Sequence, residues 1–63
     1  MMNIMKTYKV VFYINEVPVE GGEVLLKAVD FEEALQVLRL RLNTKQGIPS
    51  IWDSYSDPIE IQL

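Results

Sequence analysis

The sequence predicts a small α+β domain of order β-β-α-β, in which one helix packs on one face of a three-stranded antiparallel sheet. Three observations predict it: two stretches that alternate with a period of two, one stretch with helical spacing, and a last short alternating stretch. The 63 residues make a single domain, 1–63, and its residues 1–4 are expected to fray. A chain of this length buries only roughly 60% of the surface that its unfolded form exposes, so association is one way to gain stability.

The first two strands are read from alternation. Residues from Tyr8 to Ile14 alternate in β-branched and aromatic side chains, and residues from Glu23 to Ala28 alternate in the same way. Between them the segment 15–22, NEVPVEGG, contains a proline and two glycines, which are typical of loops. We therefore expect a hairpin with an irregular or extended tip.

The period changes to that of a helix at Asp30. This residue is a good N-cap, and Glu33 stands where a capping box places its acidic partner. The helix is predicted to run from about residue 31 to 44, before Gly47 and Pro49. Its core-facing stripe is Phe31, Ala34, Leu35, Leu38 and Leu42, and the residues expected off the stripe, on the outer side, are Val37 and Leu40.

The third strand is predicted at residues 59–63, where Ile59, Ile61 and Leu63 alternate with polar residues after Pro58. The first strand is the most apolar on both faces, so it is placed in the centre and the strand order is 2-1-3. This topology brings the hairpin tip and the loop of residues 47–57 to the same end of the domain.

The segment 48–58, IPSIWDSYSDP, holds the only tryptophan and is roughly twice as long as the usual connection of about 4 to 6 residues. Long surface loops with aromatic residues are common binding sites. Together with the hairpin tip it gives a predicted partner site at the loop end: Trp52, Asp53, Tyr55, Asp57, Glu16 and Glu20. The alternative is that Trp52 folds back and closes the open end of the core.

A second candidate surface is the sheet face that the single helix leaves uncovered. Val11, Tyr13 and Leu25 are predicted to align there, and a contiguous exposed apolar strip commonly marks an interaction site. We expect this face to be the dimer surface. The alternative is that these are single exposed apolar residues, which are normal on protein surfaces.

Catalytic and metal-binding patterns are weak. The chain has no cysteine and no histidine, so thiolate sites and imidazole bases are excluded. Asp53, Tyr55 and Asp57 have the alternate spacing of a calcium loop, but the required glycine and terminal glutamate are missing. Gly21 and Gly22 lead into a strand and not into a helix, unlike a phosphate-binding loop. We expect no enzyme activity, no cofactor and no metal.

The charge and hydropathy of the chain limit the classes of partner and the cellular location that we expect. The formal net charge is −3 and no basic stripe is present, which argues against direct nucleic-acid binding. No apolar run approaches the roughly 20 residues of a membrane span, and the run from Val10 to Ile14 is too short for a signal peptide. The lack of disulfide-forming residues in so small a domain favours a cytoplasmic location.

The sequence thus favours a non-enzymatic protein-interaction module that forms a homodimer and binds another protein through its acidic, aromatic loop end. One alternative is a small bacterial or phage accessory or inhibitor protein, an acidic mimic that occupies a nucleic-acid-binding enzyme. Another is a purely structural domain with no separate partner site. No motif assigns the chain to a family.

Overall fold

The computed structural model describes residues 4–62. Its elements are β1 (Lys6–Ile14), β2 (Val17–Ala28), α1 (Phe31–Thr44), β3 (Ser54–Tyr55) and β4 (Ile59–Ile61). The strands form a sheet of order β2-β1-β3, with β4 also paired to β1. The predicted α+β class and the central position of the first strand are confirmed, whereas the sheet has four strands and not three. Predictions for residues 1–3 and for Leu63 lie outside the described residues.

The hairpin between β1 and β2 closes in a tight turn, so of the two predicted forms of the tip the extended one is wrong, while the register shift beside the turn agrees with the irregular one. Asn15 and Glu16 form a two-residue turn with φ angles of 50° and 65°. Positive φ at both central residues matches the right-handed twist of the strands, as in a type I′ turn. Pro18 pairs with Tyr13, so the proline belongs to β2. A proline is tolerated there because its nitrogen lies on the outer edge of the sheet.

The two glycines belong to a bulge inside β2. Val11 pairs with Glu23 but Tyr13 pairs with Pro18, so the register shifts and residues 19–22 lie opposite Phe12 alone. A Cβ added at Gly22 would lie 2.8 Å from the carbonyl oxygen of Val19. Only glycine allows this close approach of the backbone to itself.

Helix α1 begins where the sequence predicts. The Asp30 side chain accepts a hydrogen bond from the Glu33 amide at 2.8 Å, and Glu33 Oε1 accepts one from the Val29 amide at 2.9 Å. This pair is a variant of the capping box, because Glu33 bonds the amide of the residue before the N-cap; it satisfies one free amide of the first turn and one just before the helix. At the other end Lys45 is left-handed, with φ 59°, and stops the helix.

The core lies between α1 and one face of the sheet. It consists of Tyr8, Val10, Phe12, Val24, Leu26, Ala28, Ala34 and Leu38. The predicted helix stripe is correct at Ala34 and Leu38 but not at Phe31, which is 44% exposed at the start of the helix. Val37 was expected on the outer side, yet it packs against the core, whereas Leu40 is exposed.

Candidate protein-binding surfaces

The C-terminal segment, residues 53–61, runs along the edge of β1 opposite β2. Much of the predicted loop is therefore bonded to a strand. Tyr55 pairs with Phe12 in β3, and the Asp53 amide donates to the Tyr13 carbonyl at 2.8 Å. Ser56 then bonds Val11 twice, because its amide donates to the Val11 carbonyl and its Oγ accepts from the Val11 amide. Part of the segment 48–58 therefore serves to pair the backbone amides and carbonyls of β1.

Three aromatic rings form a cluster at this end of the core. The centroid of Trp52 lies 5.2 Å from that of Phe12 and 5.5 Å from that of Tyr55, both in edge-to-face geometry. Tyr55 and Phe12 are also 5.5 Å apart. Phe12 is fully buried, Trp52 is half-buried and Tyr55 is 42% exposed. The Trp52 ring thus closes the end of the core, while Tyr55 carries the exposed surface of the cluster.

The predicted acidic residues are all exposed, but the structure spreads them along one end. Glu16 lies in the hairpin turn and Glu20 in the bulge of β2. Asp53 is tied to the hairpin, because its Oδ2 accepts a hydrogen bond from the Asn15 amide at 2.8 Å. This bond confirms that the hairpin turn and the C-terminal segment meet at one end. Asp57 follows Ser56 and is therefore level with Val11, farther from the turn.

An open cavity of about 480 Å³ lies on the helix side of the aromatic cluster. Its lining combines apolar side chains with one cation: Leu42, Lys45, Ile48, Pro49, Ser50 and Trp52. A concave apolar site with few polar groups suits an apolar side chain of a partner better than a charged ligand.

The sheet face opposite α1 is uncovered in the described part of the chain. It includes the predicted dimer residues: Val11 and Tyr13 are half-buried and Leu25 is 53% exposed. Charged residues lie among them, since Lys9 and Glu23 approach to 4.0 Å and Lys27 Nζ donates to Thr7 Oγ1. Lys9 pairs with Leu25 on one side and with Ile59 on the other, so its charge lies between these two apolar residues of the face. We call this surface the open face.

Two residues of the open face were missed by sequence reasoning. Ile61 pairs with Thr7 and Ile59 with Lys9, which places both isoleucines on the open face beside β1. Ile59 is 54% exposed. Their alternation in the sequence was visible, but the face depends on the register against β1, and a shift of one residue would have reversed it.

Clusters of metal-binding side chains and membrane-spanning helices are absent among residues 4–62. No group of three or more acidic side chains is placed to hold a metal ion, and α1, which is the described helix, is too short and polar to cross a membrane. Every buried side-chain nitrogen or oxygen in this range has a hydrogen-bond partner. Comparisons with protein-family models, with curated proteins and with solved structures gave no match.

Proposed function

We propose that this protein is a non-enzymatic protein-interaction module that works as a homodimer and binds through the open face of its sheet. The observation that carries the proposal is the set of exposed apolar side chains on that face, where Leu25 and Ile59, on either side of Lys9, each expose more than half of their surface. Exposed apolar side chains that align on a rigid sheet lose little conformational entropy on binding, so they suit a docking surface.

Oligomeric state is the first test. A homodimer should give twice the mass of the 7.3 kDa chain in light scattering at high concentration. A monomer up to about 1 mM would contradict the homodimer, because specific association weaker than that is negligible.

The open face is tested separately by affinity capture from cells that encode the protein. Ile59→Asp places a charge on the open face. Val17→Asp is the matched control, because Val17 is similarly exposed, at 59%, but pairs with Ile14 and so lies on the opposite face of the sheet, the face on which α1 packs. We expect a partner that the wild type and Val17→Asp retain and that Ile59→Asp loses. Equal retention by all three baits would exclude the open face as the binding surface.

The loop end is a second candidate surface, favoured by the exposure of Tyr55 next to Asp53. The proposed partner site there comprises Trp52, Asp53, Tyr55, Asp57, Glu16 and Glu20. Tyr55→Ser removes the exposed ring from this site, and loss of the captured protein with this bait alone would move the site from the open face to the loop end. An acidic mimic of nucleic acid would also lose its target when Glu16 and Asp57 are both replaced by glutamine.

A further inference from the structure

The outer edge of β2 carries backbone groups that point away from the sheet. The amide and carbonyl of Val11 bond Ser56 on the other side of β1, so odd-numbered residues of β1 face the C-terminal segment. In an antiparallel ladder the direction alternates, so even-numbered residues such as Val10 face β2. Val10 pairs with Val24. After the bulge, in residues 23–28, the inward-bonding residues of β2 are therefore the even-numbered ones, and the odd-numbered ones point outward.

The outward-pointing residues of β2 are Glu23, Leu25 and Lys27. No other strand pairs with this edge among residues 4–62, because β2 is the last strand in the sheet order. No hydrogen bond from a described side chain reaches the amides or carbonyls of these three residues either. An edge of this kind is a template for a further strand.

The side chains on this edge are self-complementary. When two copies of the segment 23–27, EVLLK, pair antiparallel about Leu25, Leu25 lies opposite Leu25 of the second copy and Glu23 lies opposite Lys27. Both charged pairs then join opposite signs. The register also places outward-pointing residues opposite each other, so three reciprocal pairs give about six backbone hydrogen bonds.

We infer that two copies of the chain join edge to edge through β2, in the register that centres on Leu25. This inference rests on the proposed homodimer and specifies its contact. The two four-stranded sheets become one continuous sheet, and the two open faces become one wider surface. The open face then stays free for a different protein, and the edge provides the contact between the copies.

The helix fits this arrangement. A two-fold axis perpendicular to the sheet puts both helices on the same side of it. Leu42 lines the cavity beside Trp52, on the side of α1 nearer to β3. Val37 lies about 140° from Leu42 around the helix, on the flank nearer to the outer edge of β2. The second copy therefore approaches the flank that carries Val37, whereas Leu40, which is 62% exposed, lies about 160° from the buried Leu38 around the helix and points away from the sheet.

Cysteine cross-linking tests the register, because the chain has no cysteine of its own. In the proposed dimer the two Leu25 Cα atoms lie about 5.5 Å apart, within the range of about 4.4–6.8 Å that a disulfide spans. Ile59→Cys is the matched control, since Ile59 and Leu25 are 54% and 53% exposed on the same open face. We expect Leu25→Cys to form the disulfide dimer about tenfold faster or more, because a preformed pair raises the effective thiol concentration.

Charge exchange gives an independent readout. Glu23→Lys alone and Lys27→Glu alone each create two like-charge pairs across the axis, so each should weaken the dimer about tenfold. A mixture of the two variants restores both opposite-sign pairs. The mixture should therefore form a heterodimer with about the affinity of the wild type.

The outcomes separate this inference from the proposed function. A dimer in which Ile59→Cys cross-links as fast as Leu25→Cys, or in which the mixed variants do not associate, would overturn the edge contact and keep the homodimer. A monomeric wild type would overturn both, and the capture experiment with Ile59→Asp would still decide whether the open face binds another protein.

Discussion

Replacement of Trp52 by alanine should destabilise the domain strongly, because the ring closes the end of the core. The change removes two edge-to-face contacts, with Phe12 and with Tyr55. Each such pair contributes about 0.5–1.5 kcal/mol beyond the buried area. A fully buried aromatic residue loses about 3–5 kcal/mol on truncation to alanine, and Trp52 is half-buried. We expect a loss of about 2–4 kcal/mol in the free energy of unfolding.

This loss is large for so small a domain. At about 0.05–0.15 kcal/mol per residue, 63 residues give a total stability of about 3–9 kcal/mol. Each kcal/mol corresponds to a shift of about 4–8 °C in Tm for a domain of this size. Trp52→Ala should therefore lower Tm by about 10–30 °C, or leave the chain largely unfolded at room temperature.

Urea and thermal unfolding followed by far-ultraviolet circular dichroism measure the change without the tryptophan signal. The matched control is Ile51→Ala, since Ile51 is the adjacent residue and is 68% exposed, and it should lose less than about 0.5 kcal/mol. If Trp52→Ala loses no more than this control, the ring does not support the core. Trp52 would then be free to serve as a contact residue for a partner.

Three smaller changes test other local features. Gly22→Ala should lower the free energy of unfolding by about 1–3 kcal/mol, because the added Cβ meets a backbone carbonyl. Gly21→Ala should lower it by only about 1 kcal/mol, because Gly21 has a φ of 71° but lies in open space. Equal losses in thermal unfolding would contradict the packing of the bulge. Ser56→Ala should lower the free energy of unfolding by about 1 kcal/mol or more, and it should speed hydrogen exchange at the Val11 amide, which donates to Ser56 Oγ. The matched control is Ser54→Ala, since Ser54 is exposed, and it should leave the Val11 amide protected. Asp30→Ala should lower the free energy of unfolding by about 0.5–2 kcal/mol in urea, because it removes the oxygen that caps the helix. Asp30→Asn should keep most of the wild-type stability, since the amide oxygen of asparagine can also accept the hydrogen bond from the Glu33 amide.

The helix could be predicted from the sequence because its signals are local. Asp30 and Glu33 are three residues apart, and both hydrogen bonds of the capping box form within five residues of chain. The alternation in β1 and β2 is equally local, so both strands and the central position of β1 were predicted.

The bulge in β2, the strand β3 and the face of the β4 isoleucines could not be predicted, because they depend on contacts between residues far apart in the sequence. Pro18 and the two glycines are loop signals in isolation, but pairing across the turn keeps Pro18 in the strand and places the glycines in a bulge. The two-residue strand β3 is too short to show any period, and it forms because Tyr55 and Ser54 pair with Phe12 and Tyr13, which are 43 and 41 residues earlier in the chain. The positions of Ile59 and Ile61 on the open face follow from that same long-range register.

The attachment of the C-terminal segment to β1 has a consequence for partial opening of the domain. Hydrogen bonds across 38 and 45 residues hold this segment, whereas the hairpin and the helix close on themselves locally. Local opening free energies in proteins vary widely, and a segment held by exposed and half-buried bonds belongs to the weaker end. Detachment of residues 53–61 would leave the hairpin and helix in place and unpair the second edge of β1. Such a partly open form would carry two free strand edges, one on each side of the hairpin, and could extend into open-ended strand assemblies, whereas the proposed edge contact of the closed form stops at a dimer.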